Sequence, residues 1–243
     1  MKRTAVITGG NGGIGQAVAD NLSYDHEIIL HCFGSYDHLL PWIDKVHARG
    51  GVVIPVEGEL ASEEGCVRFC NEVASKIESK IEVLVNSAGG IIQPHSCENL
   101  TWELMEKHFN LNALAPMLVT ALLVPYIKKA NDPAIINITS GSIRNGSITS
   151  PAYGAAKGAL DVFTRGLANE LAPTVRVNAI APGVIETRFY DNVAPEVLAG
   201  LKEKTPLKKL GSPRDVASTV RYFVETTYLT GVTVDLNGGL YMR

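Results

Sequence analysis

Tyr153 and Lys157 stand four residues apart in the stretch Tyr153-Gly-Ala-Ala-Lys157. Ala156, Leu160, Phe163, Leu167 and Leu171 recur around and after it at helical spacing. Positions four apart on a helix share one face, one turn above each other, so this spacing puts an ammonium beside a phenol. A phenol ordinarily gives up its proton near pH ~10, too high for exchange at neutrality. A fixed positive charge next to the ring favours the phenolate and is expected to bring that value down. The pair is thus a candidate proton donor and acceptor for a carbonyl–alcohol couple. A Tyr and a Lys at this spacing also occur on ordinary helix surfaces, so the elements that position them decide between the two readings.

Those elements alternate. Short β-branched runs occur at Ala5–Thr8, Glu27–His31, Val52–Val56, Val83–Asn86, Ala134–Ile138, Val175–Ile180 and Thr233–Leu236. Segments of helical periodicity lie between them, among them Ile14–Leu22, Leu39–Ala48, Glu63–Ile77 and Thr101–Lys129. Near-continuous apolar strands separated by helices predict an α/β domain with a parallel sheet of about seven strands, covered by helices on both faces. No Pro/Gly/Ser-rich linker or repeat divides the 243 residues, so residues 1–243 read as one domain. With 46% hydrophobic residues and a net charge of -3, the chain can bury a large core and has no basic stripe for nucleic acid.

Cys32, Cys66, Cys70 and Cys97 form no CxxC and no Cys/His cluster of metal spacing. Free thiols and a cytoplasmic location are expected over disulfides. The N-terminus runs from Met1-Lys-Arg straight into a strand, without signal-peptide architecture. The apolar stretch Ala113–Ile127 is interrupted by Pro116 and Pro125 and is shorter than the ~20 residues of a membrane span, so it reads as a buried helix.

Between the first strand and the first helix lies Thr8-Gly-Gly-Asn-Gly-Gly-Ile-Gly15. Glycines there permit a tight turn and a close backbone approach to phosphate, and the following helix directs its free N–H groups and positive end at a pyrophosphate. In a strand–turn–helix context the stretch points to dinucleotide binding.

The spacing Thr-Gly-x-x-x-Gly-x-Gly together with Tyr-x-x-x-Lys resembles the short-chain dehydrogenase/reductase family, and the resemblance runs the length of the chain. Asn86-Ser-Ala-Gly89 stands where the family has Asn-Asn-Ala-Gly, with Ser87 a small polar departure. Asn112 matches the family's active-site asparagine, and Ser140 precedes Tyr153 by the usual interval of thirteen. Pro182-Gly-Val-Ile-Glu-Thr187 matches the segment after the sixth strand, and Thr230-Gly231 with Asn237-Gly-Gly239 match the C-terminal signature.

The resemblance implies a doubly wound Rossmann fold and hydride transfer between a nicotinamide and a carbonyl or carbinol carbon. It implies Tyr153 as the acid, Lys157 holding its pKa low and binding the nicotinamide ribose, and Ser140 donating to the substrate oxygen. Asn112 would link Lys157 to solvent through a water. Ser142 has the same chemistry as Ser140 and is a second candidate at the substrate. The implied cofactor contacts are Thr8, Gly9, Asn11, Gly12, Gly13, Ile14 and Gly15 in the first loop, and Phe33, Gly34 and Ser35 after the second strand. Glu59 and Leu60 would lie by the adenine; Asn86, Ala88 and Gly89 follow the fourth strand, and Pro182, Gly183, Ile185 and Thr187 the sixth. No metal is implied.

The choice of dinucleotide is open. Cys32 stands where NAD-specific relatives carry Asp, and Phe33 where NADP-specific ones often carry Arg. Ser35, backed by a helix N-terminus, with His31 and His38 adding partial charge, tilts the reading to NADPH; Asp37 argues for NADH. For the substrate, the resemblance is to 3-oxoacyl-thioester reductases of fatty acid biosynthesis, with a lid over residues 187–205 centred on Phe189–Leu201, and Pro94 and His95 on the opposite wall. Lys128 and Lys129 can serve as a carrier-protein docking patch or simply complement a helix dipole. An NAD-dependent dehydrogenase of a sugar, polyol or steroid alcohol, and a non-catalytic dinucleotide sensor, are the competing readings. The family commonly forms tetramers through the helices beginning near Thr101 and Pro151. The apolar faces here (Leu104, Phe109, Leu114; Leu160, Phe163, Leu167) fit either that assembly or sheet packing.

Overall fold

The computed structural model of the chain describes residues 3–147, 150–188 and 193–242. The apolar runs become strands β1 (Arg3–Ile7), β2 (His26–Cys32), β3 (Val52–Glu57), β4 (Val83–Asn86), β5 (Ala134–Ile138), β6 (Arg176–Pro182) and β7 (Thr233–Leu236). Between them lie α1 (Gly13–Leu22), α2 (Leu40–Ala48), α3 (Glu63–Lys76), α4 (Trp102–Phe109), α5 (Ala115–Ile127), the short α6 (Ser142–Asn145), α7 (Pro151–Leu171), α8 (Pro195–Lys204) and α9 (Pro213–Glu225). Every strand pair is parallel, in the order β3-β2-β1-β4-β5-β6-β7. This is a Rossmann fold.

Strand alternation sorts the core into two layers. Ala5 and Ile7 of β1, Ile28 and Leu30 of β2, and Val83 and Val85 of β4 point to one face, where Val18, Val46, Val220 and Phe223 of α1, α2 and α9 cover them. Val6, Ile29 and Leu84 point to the other, under Phe69 of α3, Val119 and Leu123 of α5, and Leu171 of α7. Because side chains alternate along a strand, apolar runs without polar interruption are what a sheet covered twice requires.

Local signals start several helices. Ser62 accepts the Gly65 amide hydrogen (3.2 Å) ahead of α3, and Thr101 accepts that of Leu104 (3.2 Å) ahead of α4. Ser212 and Asp215 form a reciprocal capping box at α9.

The helical segment expected over Thr101–Lys129 is present: α4, a wider turn over Asn110–Leu114 and α5 run on through Pro116 and Pro125 as 26 residues, Trp102–Ile127. By length and composition alone that run could cross a membrane. Its inner face packs on the sheet instead, with Val119, Leu123 and Ile127 fully buried.

The strand order reverses direction between β1 and β4. At such a switch point the loops leaving neighbouring strands diverge and open a crevice at the carboxyl ends of the strands. The glycine loop after β1 and Ser87–Gly89 after β4 both lie there.

Candidate active site

The first loop is held open by its neighbours. The Thr8 hydroxyl oxygen accepts the amide hydrogens of Ser87 and Ala88 (both 3.0 Å), tying it to the end of β4. Gly9, at φ +81°, packs so closely on Ala88 that a Cβ would lie 2.9 Å from that residue's backbone. A Cβ on Gly15 would lie 2.2 Å from the Gly9 carbonyl oxygen, so the first turn of α1 and the loop touch through backbone alone. No side chain caps α1 at Gly12. A cradle that side chains would fill, facing an uncapped helix N-terminus, fits the pyrophosphate of a dinucleotide. Thr187 comes to the same place: its methyl group would stand 3.2 Å from a Cβ on Gly13. Gly183 packs against Asn237 and donates its amide hydrogen to Leu236 (2.9 Å), and Ile185 is buried beside Gly211. Pro182, ending β6, accepts the Gly141 amide hydrogen at 2.7 Å and so holds the loop that carries Ser140.

The adenosine side is knit by Asn11. Its Oδ1 accepts the Phe33 amide hydrogen (2.7 Å) and its Nδ2 donates to the Ser35 carbonyl (3.2 Å), joining the glycine loop to the turn Phe33-Gly34-Ser35. Phe33 is 65% exposed, presenting a ring at the crevice. The Ser35 hydroxyl donates to Asp37 (2.8 Å) and accepts its amide hydrogen (3.2 Å).

His31 is not the partial charge expected beside a phosphate. It is buried, its Nδ1 accepts the Gly9 amide hydrogen (3.2 Å) and its Nε2 bonds the Gly58 carbonyl (3.1 Å). Burial takes its pKa down to about 4, so it stays neutral and stitches three loops together. Three further expected contacts have side chains engaged elsewhere. Glu59 folds back on the Ala61 amide, and Leu60 is buried. Asn86 turns into the core, donating to Thr120 (3.0 Å) and Asn137 (2.8 Å), and offers only backbone at the strand end.

The four residues expected to carry proton chemistry come from three elements. Ser140 follows β5, and Tyr153 and Lys157 lie on α7. Asn112 lies in the wide turn, where Ala115 bonds back to Asn110 rather than to the residue four before it. Such turns put a side chain out of helical register and recur at functional sites. Asn112 clamps Gly90 with both ends of its amide, accepting from Gly90 N (2.9 Å) and donating to Gly90 O (3.0 Å), and it donates also to His108 O (3.0 Å). Lys157, 3% exposed, donates to the Ile138 carbonyl at 2.9 Å. Gly89 brings the two together: a Cβ there would lie 2.7 Å from Asn112 Oδ1 and 2.9 Å from Lys157 Nζ. With φ at +149° as well, Gly89→Ala is expected to displace both groups and lower kcat by at least ~10-fold while circular dichroism stays native.

The acid–base balance corrects one expectation. Burial pushes the Tyr153 phenol above its ordinary value, and its hydrogen bond with Ser140 opposes that rise. Burial takes Lys157 down to about 8. Desolvation, rather than the neighbouring ammonium, thus sets the direction for Tyr153. Ser140 Oγ also bonds Ser142, through its hydroxyl (3.1 Å) and its amide hydrogen (3.1 Å), so both serines expected at the substrate stand together.

His95 does not line a substrate wall. It is buried against the start of α7, with Ala152 N 3.3 Å from its Nε2. Of the expected lid, residues 189–192 lie outside the described residues; α8 forms part of the remainder, with none of its residues buried. Cys32, Cys66 and Cys70 are buried free thiols, pushed up by burial to about 11, 11 and 12, and Cys97 is exposed. No group of His, Cys, Asp and Glu able to hold a metal occurs among the described residues.

The sequence profile of the short chain dehydrogenases matches residues 3–197. The chain belongs to the short-chain dehydrogenase/reductase family and is an NAD(P)-dependent oxidoreductase. It is 30% identical over 243 residues to the 3-oxoacyl-acyl-carrier-protein reductase FabG of Aquifex aeolicus, covering 98% of this chain and 97% of that one. Its fold matches the Pseudomonas aeruginosa RhlG/NADP active-site complex with a TM-score of 0.90 at 26% identity, covering 99% and 96% of the two chains. A short-chain dehydrogenase/reductase from Brucella melitensis, described as a glucose/ribitol dehydrogenase, matches with a TM-score of 0.86 at 29% identity over the full length of both.

Proposed function

We propose that the chain is an NADPH-dependent reductase of a carbonyl substrate, a 3-oxoacyl thioester such as 3-oxoacyl-acyl-carrier protein or acetoacetyl-CoA. The observation that carries this reading is a half-buried phenol hydrogen-bonded to Ser140 and one helical turn from a buried ammonium. When bound, the nicotinamide supplies the hydride. Ser140 positions the substrate oxygen, and Tyr153 gives it a proton as negative charge develops there. An acid whose proton is retained at neutral pH suits reduction, where the proton is to be given up. The phenolate left behind lies in a low-dielectric site beside Lys157, whose ammonium stabilises it. Asn112, across Gly89 from Lys157, holds the loop at which reprotonation from solvent would begin.

Two features support NADPH. Cys32, where a ribose-binding carboxylate would stand, is buried with its thiol towards Leu30, and a relative in the same fold carries NADP. The Asp37 carboxylate beside Ser35 favours the second reading, NAD-dependent oxidation of a sugar, polyol or steroid alcohol. The deciding experiment compares kcat/KM for NADPH and NADH with acetoacetyl-CoA. Reduction driven better by NADPH supports the first reading; alcohol oxidation with NAD and no reduction of the thioester supports the second. Removing the carboxylate charge in Asp37→Asn is expected to raise the NADPH preference about fivefold, as one screened charge near a phosphate allows.

A homo-oligomer, in keeping with a tetramer, is part of the proposal. α5 is apolar on its outer side too, and with α3 and α7 it lines an apolar groove of about 710 Å³ in which Leu114 is 54% exposed. A second copy would cover such a surface. Light scattering that reports a monomer would count against it. The exposed pair Lys128 and Lys129 at the end of α5 is where an acidic carrier protein would dock.

A further inference from the structure

His95, His108 and Ser150 form a buried polar cluster at the start of α7, and no step above uses it. The His95 and His108 ring centroids lie 5.3 Å apart, and the Ser150 hydroxyl is 3.3 Å from His95 Nδ1 and 3.3 Å from His108 Nε2. His108 in turn packs edge-on towards the Tyr153 ring, 6.4 Å between centroids.

The cluster replaces an ordinary helix cap. Ser150 occupies the N-cap position of α7, where a serine hydroxyl normally accepts an amide hydrogen of its own first turn, yet it makes no such bond. Pro151 has no amide hydrogen to give. The next donor, Ala152 N–H, goes to His95 Nε2 at 3.3 Å, from a loop 57 residues away. For Nε2 to accept, it must be bare, so the ring is neutral with its hydrogen on Nδ1, facing the Gln93 carbonyl at 3.1 Å.

We propose that neutral His95 is a positioning residue for the reaction: by capping α7 at Ala152 it fixes the rotation of the helix turn that carries Tyr153, the next residue. This rests on the reading of Tyr153 as proton donor. Protonating His95 turns its acceptor into a donor aimed at the Ala152 amide and places a positive charge at the positive end of a 21-residue helix. The groups facing it share the consequence. Gln93 and Ser150 are neutral, His108 from α4 is held below its ordinary value by burial, and Tyr153 lies beyond His108.

The test uses the full chain with NADPH and acetoacetyl-CoA as the probe pair. His95→Ala is expected to lower kcat about tenfold with the KM for NADPH unchanged. His95→Gln, whose amide oxygen accepts the same hydrogen, is expected to restore most of kcat. Nitrogen-15 NMR of the wild type at pH 7, with His95 assigned by its loss in the glutamine variant, is expected to show a neutral ring protonated on Nδ1. Wild-type kcat in His95→Ala, no recovery of kcat in His95→Gln, or a His95 that is charged or protonated on Nε2 overturns the proposal. Where the alanine variant does not fold, the glutamine variant and the spectrum decide. Where acetoacetyl-CoA is not turned over, the spectrum decides alone. Tyr153→Phe separates this proposal from its foundation. An active phenylalanine variant defeats both, whereas an inactive one beside an undiminished His95→Ala defeats the positioning role only.

Discussion

Tyr153→Phe is expected to lower kcat for reduction about a thousandfold while leaving the dissociation constant for NADPH within about twofold of wild type. The substitution removes one oxygen and keeps the ring, so packing against His108 is retained. What is lost is the proton that the nascent alkoxide needs, worth about 4 kcal/mol of transition-state stabilisation at that rate ratio. Ser140 can still orient the substrate, which is why binding survives. Stopped-flow measurement of NADPH oxidation, with cofactor affinity from fluorescence titration, separates the two quantities. A variant that turns over at the wild-type rate would falsify the proton-donor role.

Lys157→Met is expected to lower kcat/KM by a hundredfold or more and to change its pH dependence. Burial brings the ammonium down to about 8 from its ordinary 10.5, so it is largely charged at pH 7 and loses its charge as pH rises through 8. The charged form is the one that stabilises phenolate. Wild-type kcat/KM, which reports the free enzyme, should therefore be level near neutrality and fall above about pH 8. In the methionine variant that limb should vanish, because the group that titrates is gone. An alkaline limb of the same midpoint in both proteins would assign the titration to another residue.

The residues show why some of this was legible before folding and some was not. β4, β5 and β7 keep the bounds of the β-branched runs, Val83–Asn86, Ala134–Ile138 and Thr233–Leu236, because strands in a sheet covered on both faces are near-continuously apolar. The Tyr153–Lys157 pairing is local, fixed by helical spacing alone. The direction of the Tyr153 shift is not, because it depends on desolvation by distant elements. The wide turn at Asn112 has no local cause either, since its side chain answers to Gly90, 22 residues back. Histidine is the hardest residue to place from sequence. His31 bridges Gly9 and Gly58, and His95 caps a helix begun 56 residues later; neither partner is implied by its neighbours in the chain. Asn86 and Glu59 stand at the expected positions yet turn their side chains to Thr120, Asn137 and Ala61, because position along a strand does not settle which way an end residue faces. α9 is not among the segments read from periodicity, although Ser212-Pro-Arg-Asp215 carries a capping signal that is independent of it.

The most direct measurement is a crystal structure of the chain with NADP and a bound ketone or alcohol. The account predicts the substrate oxygen within hydrogen-bond reach, ~2.6–3.2 Å, of both the Tyr153 and Ser140 hydroxyls, with the Lys157 amine on the nicotinamide ribose. A phenol turned from the reacting carbon, or a substrate oxygen held by other groups, would contradict it.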